Sequence, residues 1–164
     1  PMVSIEQVLA TWRDNERINR LLLEQIPADG LAAVPLLKDG KPGRGRDVGR
    51  MFAHLFDARM SHMRNKEKDA AGKMPAFEKG ATPSRRDLLR ALEVSGKAVE
   101  LRLSGAIEGG ETIHTKHPLN FLAYLIAHDS HHRGQMLLAL KQNGFKLTDE
   151  LRWGPWSAWF KELK

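Results

Sequence analysis

Three histidines within five positions, His128, His131 and His132, are the residues best suited to chemistry in this 164-residue chain. An α-helix turns by about 100° per residue, so His128 and His132 lie about 40° apart, one turn from each other on one helix face. Two imidazoles placed in this way can bind one metal ion. His131 lies about 60° from His128 on the other side, and about 100° from His132, so it cannot easily join both.

A third metal ligand must come from another element, because two imidazoles on one helix do not complete a site. The best candidate is His54, which lies among apolar residues in a second predicted helix. His62 lies about 12 Å beyond His54 along the helix axis, so the two cannot share an ion, and we expect His62 at the surface. A histidine pair can also be merely solvated, but the apolar neighbours of His128 and His132 would make unpaired imidazoles costly to desolvate.

Three further side chains are candidates for supporting roles at such a site. Gln135 follows His132 by three residues and could orient a ligand, and Asp57 follows His54 by three residues and could accept its ring N–H. Asn15, on the first predicted helix, either faces the metal pocket or is an exposed amide. None of these side chains is predicted to coordinate the ion itself.

The remaining motifs are weaker. Glu111 and His114 have the Glu-x-x-His spacing of a di-iron bundle, but the motif occurs once and beside two glycines, so we reject that interpretation. The glycine-rich residues 43–49 have the wrong spacing for a dinucleotide site, and no P-loop pattern occurs. By helix geometry His131 and Arg133 point away from the two ligands, which predicts structural hydrogen bonding for both.

Apolar spacing predicts four long helices to hold these residues, with little strand-like alternation. The predicted bounds are Ser4 to Gln25, Asp47 to a polar tract at Arg64–Gly72, Ser84 to the residue before Gly105, and His117 to Asn143. Prolines and glycines make residues 27–45 a long first connection. A short last helix is expected within residues 148–164, where Trp153, Trp156 and Trp159 would close the core.

Length and composition place the chain among globular proteins. The 164 residues suit one domain spanning 1–164, and 41% hydrophobic and 28% charged residues exclude a disordered chain. No apolar run approaches the about 20 residues that cross a bilayer. The net charge of +6 is spread along the chain, and the basic residues 38–50 contain no aromatic residue, so nucleic-acid binding is not favoured. The absence of cysteine and of a secretory signal pattern predicts a cytoplasmic protein.

The segment 128–135, His-Asp-Ser-His-His-Arg-Gly-Gln, resembles the His-x-x-x-His-Arg-Gly-Gln signature of the DinB-like (DinB/YfiT) family, and His54 stands where the family has its first histidine. Similarity also extends to the first helix and the tryptophan-containing end, with Trp12, Asn15, Arg17, Trp153 and Trp156. The resemblance implies an up-down-down-up four-helix bundle, frequent dimerisation, and a divalent metal held by His54, His128 and His132. Characterised relatives include transferases that use a low-molecular-weight thiol.

These observations predict a metal-dependent enzyme that acts on a small-molecule substrate. Zinc and nickel are the expected ions, since imidazole suits several late first-row metals. Because the chain has no cysteine, thiol chemistry would need an external thiol, and the family favours transfer of such a thiol to an electrophile. The alternatives are a metal-dependent hydrolase, and a non-catalytic metal-binding sensor or stress-response protein.

Overall fold

The computed structural model describes residues 3–160, and this part of the chain is all-helical. Its helices are α1 (Ile5–Gln25), α2 (Val48–Ser61), α3 (Asn65–Ala71), α4 (Arg85–Glu108), α5 (Pro118–Gln142) and α6 (Asp149–Ser157), and a 3-10 helix spans Ala28–Ala32. Residues 3–160 contain two isolated β-bridges and no strand. The prediction of an all-α chain with a long first connection is therefore confirmed.

The long helices begin directly after residues whose side chains can accept hydrogen bonds from the first backbone N–H groups of a helix. The Ser4 hydroxyl accepts from the Gln7 backbone N–H at 3.2 Å, and the Gln7 side chain accepts from the Ser4 N–H at 2.8 Å. Asp47 accepts from the Arg50 N–H at 2.7 Å at the start of α2. These side chains satisfy backbone donors that have no partner within the helix. Pro118 opens α5, where its missing N–H leaves no donor unsatisfied.

Two helix bounds differ from the prediction. The polar tract after α2 contains the short helix α3, because the Arg64 backbone N–H donates to the Glu67 carboxylate at 2.8 Å, and the Arg64 guanidinium donates to the same carboxylate at 2.8 and 2.9 Å. Helix α4 continues through Gly105 to Glu108, because Ala106 is fully buried and holds this last turn against the core. At the end of α4, burial outweighs the low helix propensity of Gly105.

The prediction that the C-terminal tryptophans close the core is wrong for Trp153 and Trp156, which are 62% and 66% exposed. Helix α6 is instead anchored on α1 by Leu151, which is buried. The tryptophan that the core does bury is Trp12 on α1, whose indole N–H donates to the Gly96 carbonyl at 3.0 Å. A methyl group at Gly96 would lie 2.5 Å from a Glu16 carboxylate oxygen, so an alanine there would displace the Glu16 side chain.

The four long helices contribute to two apolar clusters and to a set of polar residues that interrupts them. Helix α1 packs against α4, α5 and α6, and α2 packs against α4 and α5. Along α1 and α5, residues of one apolar cluster precede the buried polar residues, and residues of the other cluster follow them. We call these polar residues the polar layer, consisting of Asn15, Glu16, Asn19, Arg59, Ser95, Asp129 and Arg133. Among residues 3–160, no helix combines the length and hydropathy that crossing a membrane requires.

Candidate metal centre

Helices α2 and α5 bring the three predicted ligands together. His54 on α2, and His128 and His132 on α5, each offer a ring nitrogen, and these nitrogens all lie within 4.8 Å of one another. The ring centroids of His128 and His132 are 4.6 Å apart, and that of His54 lies 4.8 Å from His132 and 5.3 Å from His128. All three side chains are partly buried. His131 is exposed and lies outside the group, as helix geometry predicts.

The surroundings of these imidazoles favour their neutral form. Burial lowers the pKa of His54 to about 4, and the positive charges of Arg46, His132 and His128 add to this effect. Burial also lowers the pKa of His132. A histidine must be neutral to bind a metal ion, so protons compete less with a metal here than at an exposed site. The donor set therefore fits a divalent transition metal that accepts imidazole nitrogen.

Gln135 lies where it can orient His132. Its Oε1 is 2.9 Å from His132 Nδ1, and its Nε2 is 3.0 Å from His131 Nε2. An amide oxygen only accepts hydrogen bonds, so His132 Nδ1 must be the donor in this pair. The lone pair of His132 Nε2 is then free for a metal, and His131 holds the Gln135 amide in the orientation that this requires.

Asp129 lies beside Nδ1 of His128, as Gln135 lies beside Nδ1 of His132. Its Oδ1 lies 3.7 Å from His128 Nδ1, and neither of these buried atoms has a hydrogen-bond partner within residues 3–160. A small rotation of the imidazole would bring the two atoms into hydrogen-bond contact. A carboxylate behind a ligating imidazole fixes its tautomer and makes it a better donor, so this orphaned pair also fits a metal site.

The second oxygen of Asp129 is held by the polar layer. Oδ2 accepts from Arg59 at 2.6 Å, from Asn15 at 2.7 Å and from Asn19 at 2.8 Å. Arg133 donates to the amide oxygens of Asn15 and Asn19 at 2.9 and 2.6 Å. Although burial alone would raise the pKa of Asp129, the charge of Arg59 and hydrogen bonds from its neighbours hold it well below its ordinary value. Asp129 therefore remains a carboxylate behind His128.

Two of the predicted supporting residues, Asn15 and Asp57, do not contact the three-histidine group in the predicted way. Asn15 is fully buried and bonds to Asp129 and Arg133, so it is neither an exposed amide nor part of the metal pocket. Asp57 is exposed, and among residues 3–160 no hydrogen bond joins it to His54. Partial desolvation of its carboxylate raises the pKa of Asp57, and the charge of Arg46 opposes this increase.

One cavity adjoins the three-histidine group, and a second lies one helix turn away along α5. The first, which we call the arginine pocket, has a volume of about 360 Å³ and is lined by Pro35, Gly45, Arg46, Met51, His132, Gln135 and Leu138. The second, the aromatic pocket, has a volume of about 340 Å³ and is lined by His62, Ile113, His114, Lys116, Asn120, Phe121 and Tyr124. None of the three histidines lines the aromatic pocket, but its Tyr124 stacks on His128 with ring centroids 6.0 Å apart.

The aromatic pocket contains a second pair of histidines that the sequence analysis did not bring together. His62 Nδ1 lies 2.9 Å from His114 Nε2, and His62 is partly buried rather than fully at the surface. His114 and Thr115 both have a positive φ, 49° and 67°, in a tight turn. Glu111, the carboxylate of the Glu-x-x-His motif, pairs with Arg64 at 3.1 Å.

Comparison with protein-family models matches residues 2–152 to the DinB family. The chain belongs to the DinB family. The match includes all three histidines and the whole segment 128–135, so the resemblance seen in the sequence is confirmed. No curated protein and no solved structure gives a significant match to this DinB-family chain.

We expect the stability of the metal-free DinB-family protein to decrease as the pH is lowered from about 6.5 toward 4. The unfolded chain takes up a proton at His54 near pH 6.5, whereas the folded protein does so only near its pKa of about 4. This contribution is therefore fully present above pH 6.5 and is lost as the pH falls to 4. Urea denaturation across this range should show the decrease, and His54→Gln should show a smaller one. An NMR titration midpoint of His54 near 6.5 would contradict the assignment.

Proposed function

We propose that this protein is a metal-dependent enzyme that transfers a low-molecular-weight thiol to an electrophile. Its ion would be bound by His54, His128 and His132. A divalent ion at this position supplies a Lewis acid that favours the thiolate form of a bound thiol at neutral pH. The observation that carries the proposal is a three-histidine group with one cavity lined by His132 and a second cavity whose Tyr124 stacks on His128.

Two cavities favour group transfer because such a reaction brings together two organic molecules, whereas hydrolysis needs only one and water. His132 and Gln135 line the arginine pocket, and Tyr124 of the aromatic pocket stacks on His128. A thiol in the first pocket would lie next to His132, and an acceptor in the second would be separated from His128 by the ring of Tyr124. Holding both reactants near one centre is itself a large part of catalysis for two-substrate reactions.

The donor set favours a catalytic site over a purely structural one. Within residues 3–160, three histidines and no further histidine or carboxylate make up the group. Structural zinc sites use four protein ligands, whereas catalytic sites use three and leave a position for a substrate. Gln135 and Asp129 would hold two of the imidazoles with their Nδ1 protons directed away from the ion.

The finer features of the proposal follow the family resemblance. We propose the up-down-down-up order for the four long helices, zinc or nickel as the ion, a homodimer, and a cytoplasmic location. A metal-dependent hydrolase remains the second enzymatic candidate. A non-catalytic sensor or stress-response protein is the candidate from a different class.

The test compares metal-free and metal-loaded protein, prepared without a polyhistidine tag, for turnover of thiol and electrophile pairs and of esters and amides. We expect thiol transfer only in the metal-loaded form, with chelation abolishing turnover and leaving helical content unchanged. The fold should persist because its two apolar clusters do not depend on the ion. Ester or amide hydrolysis without a thiol would favour the hydrolase, and the absence of turnover would favour the sensor. Unfolding on chelation would indicate a structural metal.

The helix phase of the ligands provides a separate prediction. His131→Ala should retain one metal ion per chain, because His131 lies outside the group; its Nε2 is 3.0 Å from Gln135 Nε2, and its ring lies next to that of His132. His132→Ala should lose the ion. Elemental analysis after gel filtration measures both. Loss of metal from His131→Ala with retention in His132→Ala would show that the ligand pair is assigned to the wrong helix face.

A further inference from the structure

The arginine pocket combines one cationic side chain with apolar lining residues. Arg46, in the connection before α2, lines it together with His132 and Gln135 from α5. Its apolar lining consists of Pro35, Met51 and Leu138. Leu138 is 53% exposed although it is a large apolar residue on a central helix, so a ligand in this pocket would cover apolar surface that otherwise faces water.

Arg46 has no bound partner among residues 3–160, where neither an ion pair nor a hydrogen bond involves its guanidinium. The neighbouring Arg50 is different, because it bonds to the Asp47 carboxylate at 3.1 Å and to the Gly45 carbonyl at 3.4 Å. Asp57 is close enough for Arg46 to influence it electrostatically but is not within ion-pair distance. The guanidinium is thus free to bind an anion that enters the pocket.

Electrostatics also favour an anion at this position. Arg46 and His132, one of the three histidines, line the same cavity, so the charge of Arg46 lies beside the metal centre. A divalent ion held by three neutral imidazoles would add two positive charges near this arginine. An anionic ligand between the two would be attracted by both, and a neutral ligand of the same size would gain neither interaction.

We propose that Arg46 binds the carboxylate of an anionic thiol whose sulfur is directed to the three-histidine site. This inference rests on the proposed function, and it assigns the arginine pocket to the thiol. Arginine suits the task because its planar donor fork matches both oxygens of a carboxylate. The aromatic pocket is then left for the electrophile.

The experiment uses cobalt-loaded protein, in which thiol binding produces a sulfur-to-cobalt charge-transfer band. The probes are mercaptoalkanoic acids of two to four carbons and the corresponding amides, which differ in charge but not in length. We expect one or more of the acids to bind about tenfold more tightly than its amide in the wild-type protein. This corresponds to about 1.4 kcal/mol, within the range for a hydrogen bond to a charged group.

Arg46→Gln should weaken binding of the favoured acid about tenfold and leave the amide unchanged. This comparison cancels any intrinsic difference in thiol acidity between acid and amide. Arg44→Gln is the matched control, since Arg44 is an exposed arginine of the same connection that does not line the pocket. Cobalt content and circular dichroism establish that each variant folds and retains the ion.

The outcomes separate this inference from the proposed function. Charge-transfer bands for acids and amides with equal affinities in wild-type and Arg46→Gln protein would overturn the role of Arg46 and leave thiol binding intact. An equal loss of affinity in Arg44→Gln would show that only the general charge of the connection matters, which also overturns the assignment. Absence of the band with every thiol would overturn the proposed thiol transfer and, with it, the inference about Arg46.

Discussion

Asp129→Ala is expected to lower the free energy of unfolding by about 3–5 kcal/mol, because it removes the fully buried one of the two carboxylates that pair with the buried Arg59. Arg59 would retain Glu16, at 2.6 Å, as its only carboxylate partner within the described chain. Asn15 and Asn19 would each lose the acceptor of one amide hydrogen bond. Such groups are costly to leave unsatisfied in the interior. Urea denaturation of the metal-free protein measures this change.

The matched control is Asp14→Ala, which removes a carboxylate that also pairs with an arginine but lies at the surface. Asp14 pairs with Arg17 at 2.7 Å, and both side chains are more than a third exposed. An exposed pair contributes about 0–1 kcal/mol, so this variant should be nearly as stable as the wild-type protein. Equal stability of Asp129→Ala and Asp14→Ala would contradict the polar layer as described. Asp129→Leu, which restores apolar volume but not the charge, should remain destabilised.

The second large effect concerns metal affinity. Alanine at any one of His54, His128 or His132 is expected to weaken binding of a divalent ion by more than about 100-fold, since loss of a supporting residue alone commonly costs 10- to 100-fold. Gln135→Leu should therefore weaken binding by about 10- to 100-fold, because His132 would lose the acceptor at its Nδ1. Competition with a chromophoric chelator at pH 7.5 measures these affinities.

His62→Ala is the control for metal affinity. His62 is the C-cap residue of α2, the helix that carries His54, is also partly buried, and lies outside the three-histidine group. Its removal should leave the affinity for the first ion unchanged. If His62→Ala weakens binding as strongly as His54→Ala, the ion is not held where we place it.

The ligand group could be predicted from the sequence, because the helical period determines on which face of a helix each side chain lies. His128 and His132 had to share a face, and His54 was identified by its apolar neighbours and by its position relative to the family's first histidine. Helix starts could be predicted equally well, because capping residues such as Asp47 act within one turn. These features depend on local chemistry or on the period of the helix.

The polar layer could not be predicted from capping residues or from the helical period. Arg59 reads as an ordinary surface arginine, and its burial depends on carboxylates that come from α1 and α5. Asn15 likewise could not be placed before Asp129 was known to face it. The position of Asp129, next to His128 in the motif, was the one local signal. The role of Arg46 depends on how a long connection folds against α5, which helical periodicity does not predict.

Anomalous X-ray scattering from crystals of the metal-loaded protein tests the central claim most directly. We predict one metal peak per chain within bonding distance of His54, His128 and His132, about 2.0–2.1 Å from each ligating nitrogen for zinc, with a coordination position open to the arginine pocket. A peak between His62 and His114, or a fourth protein ligand that closes the coordination shell, would contradict the account.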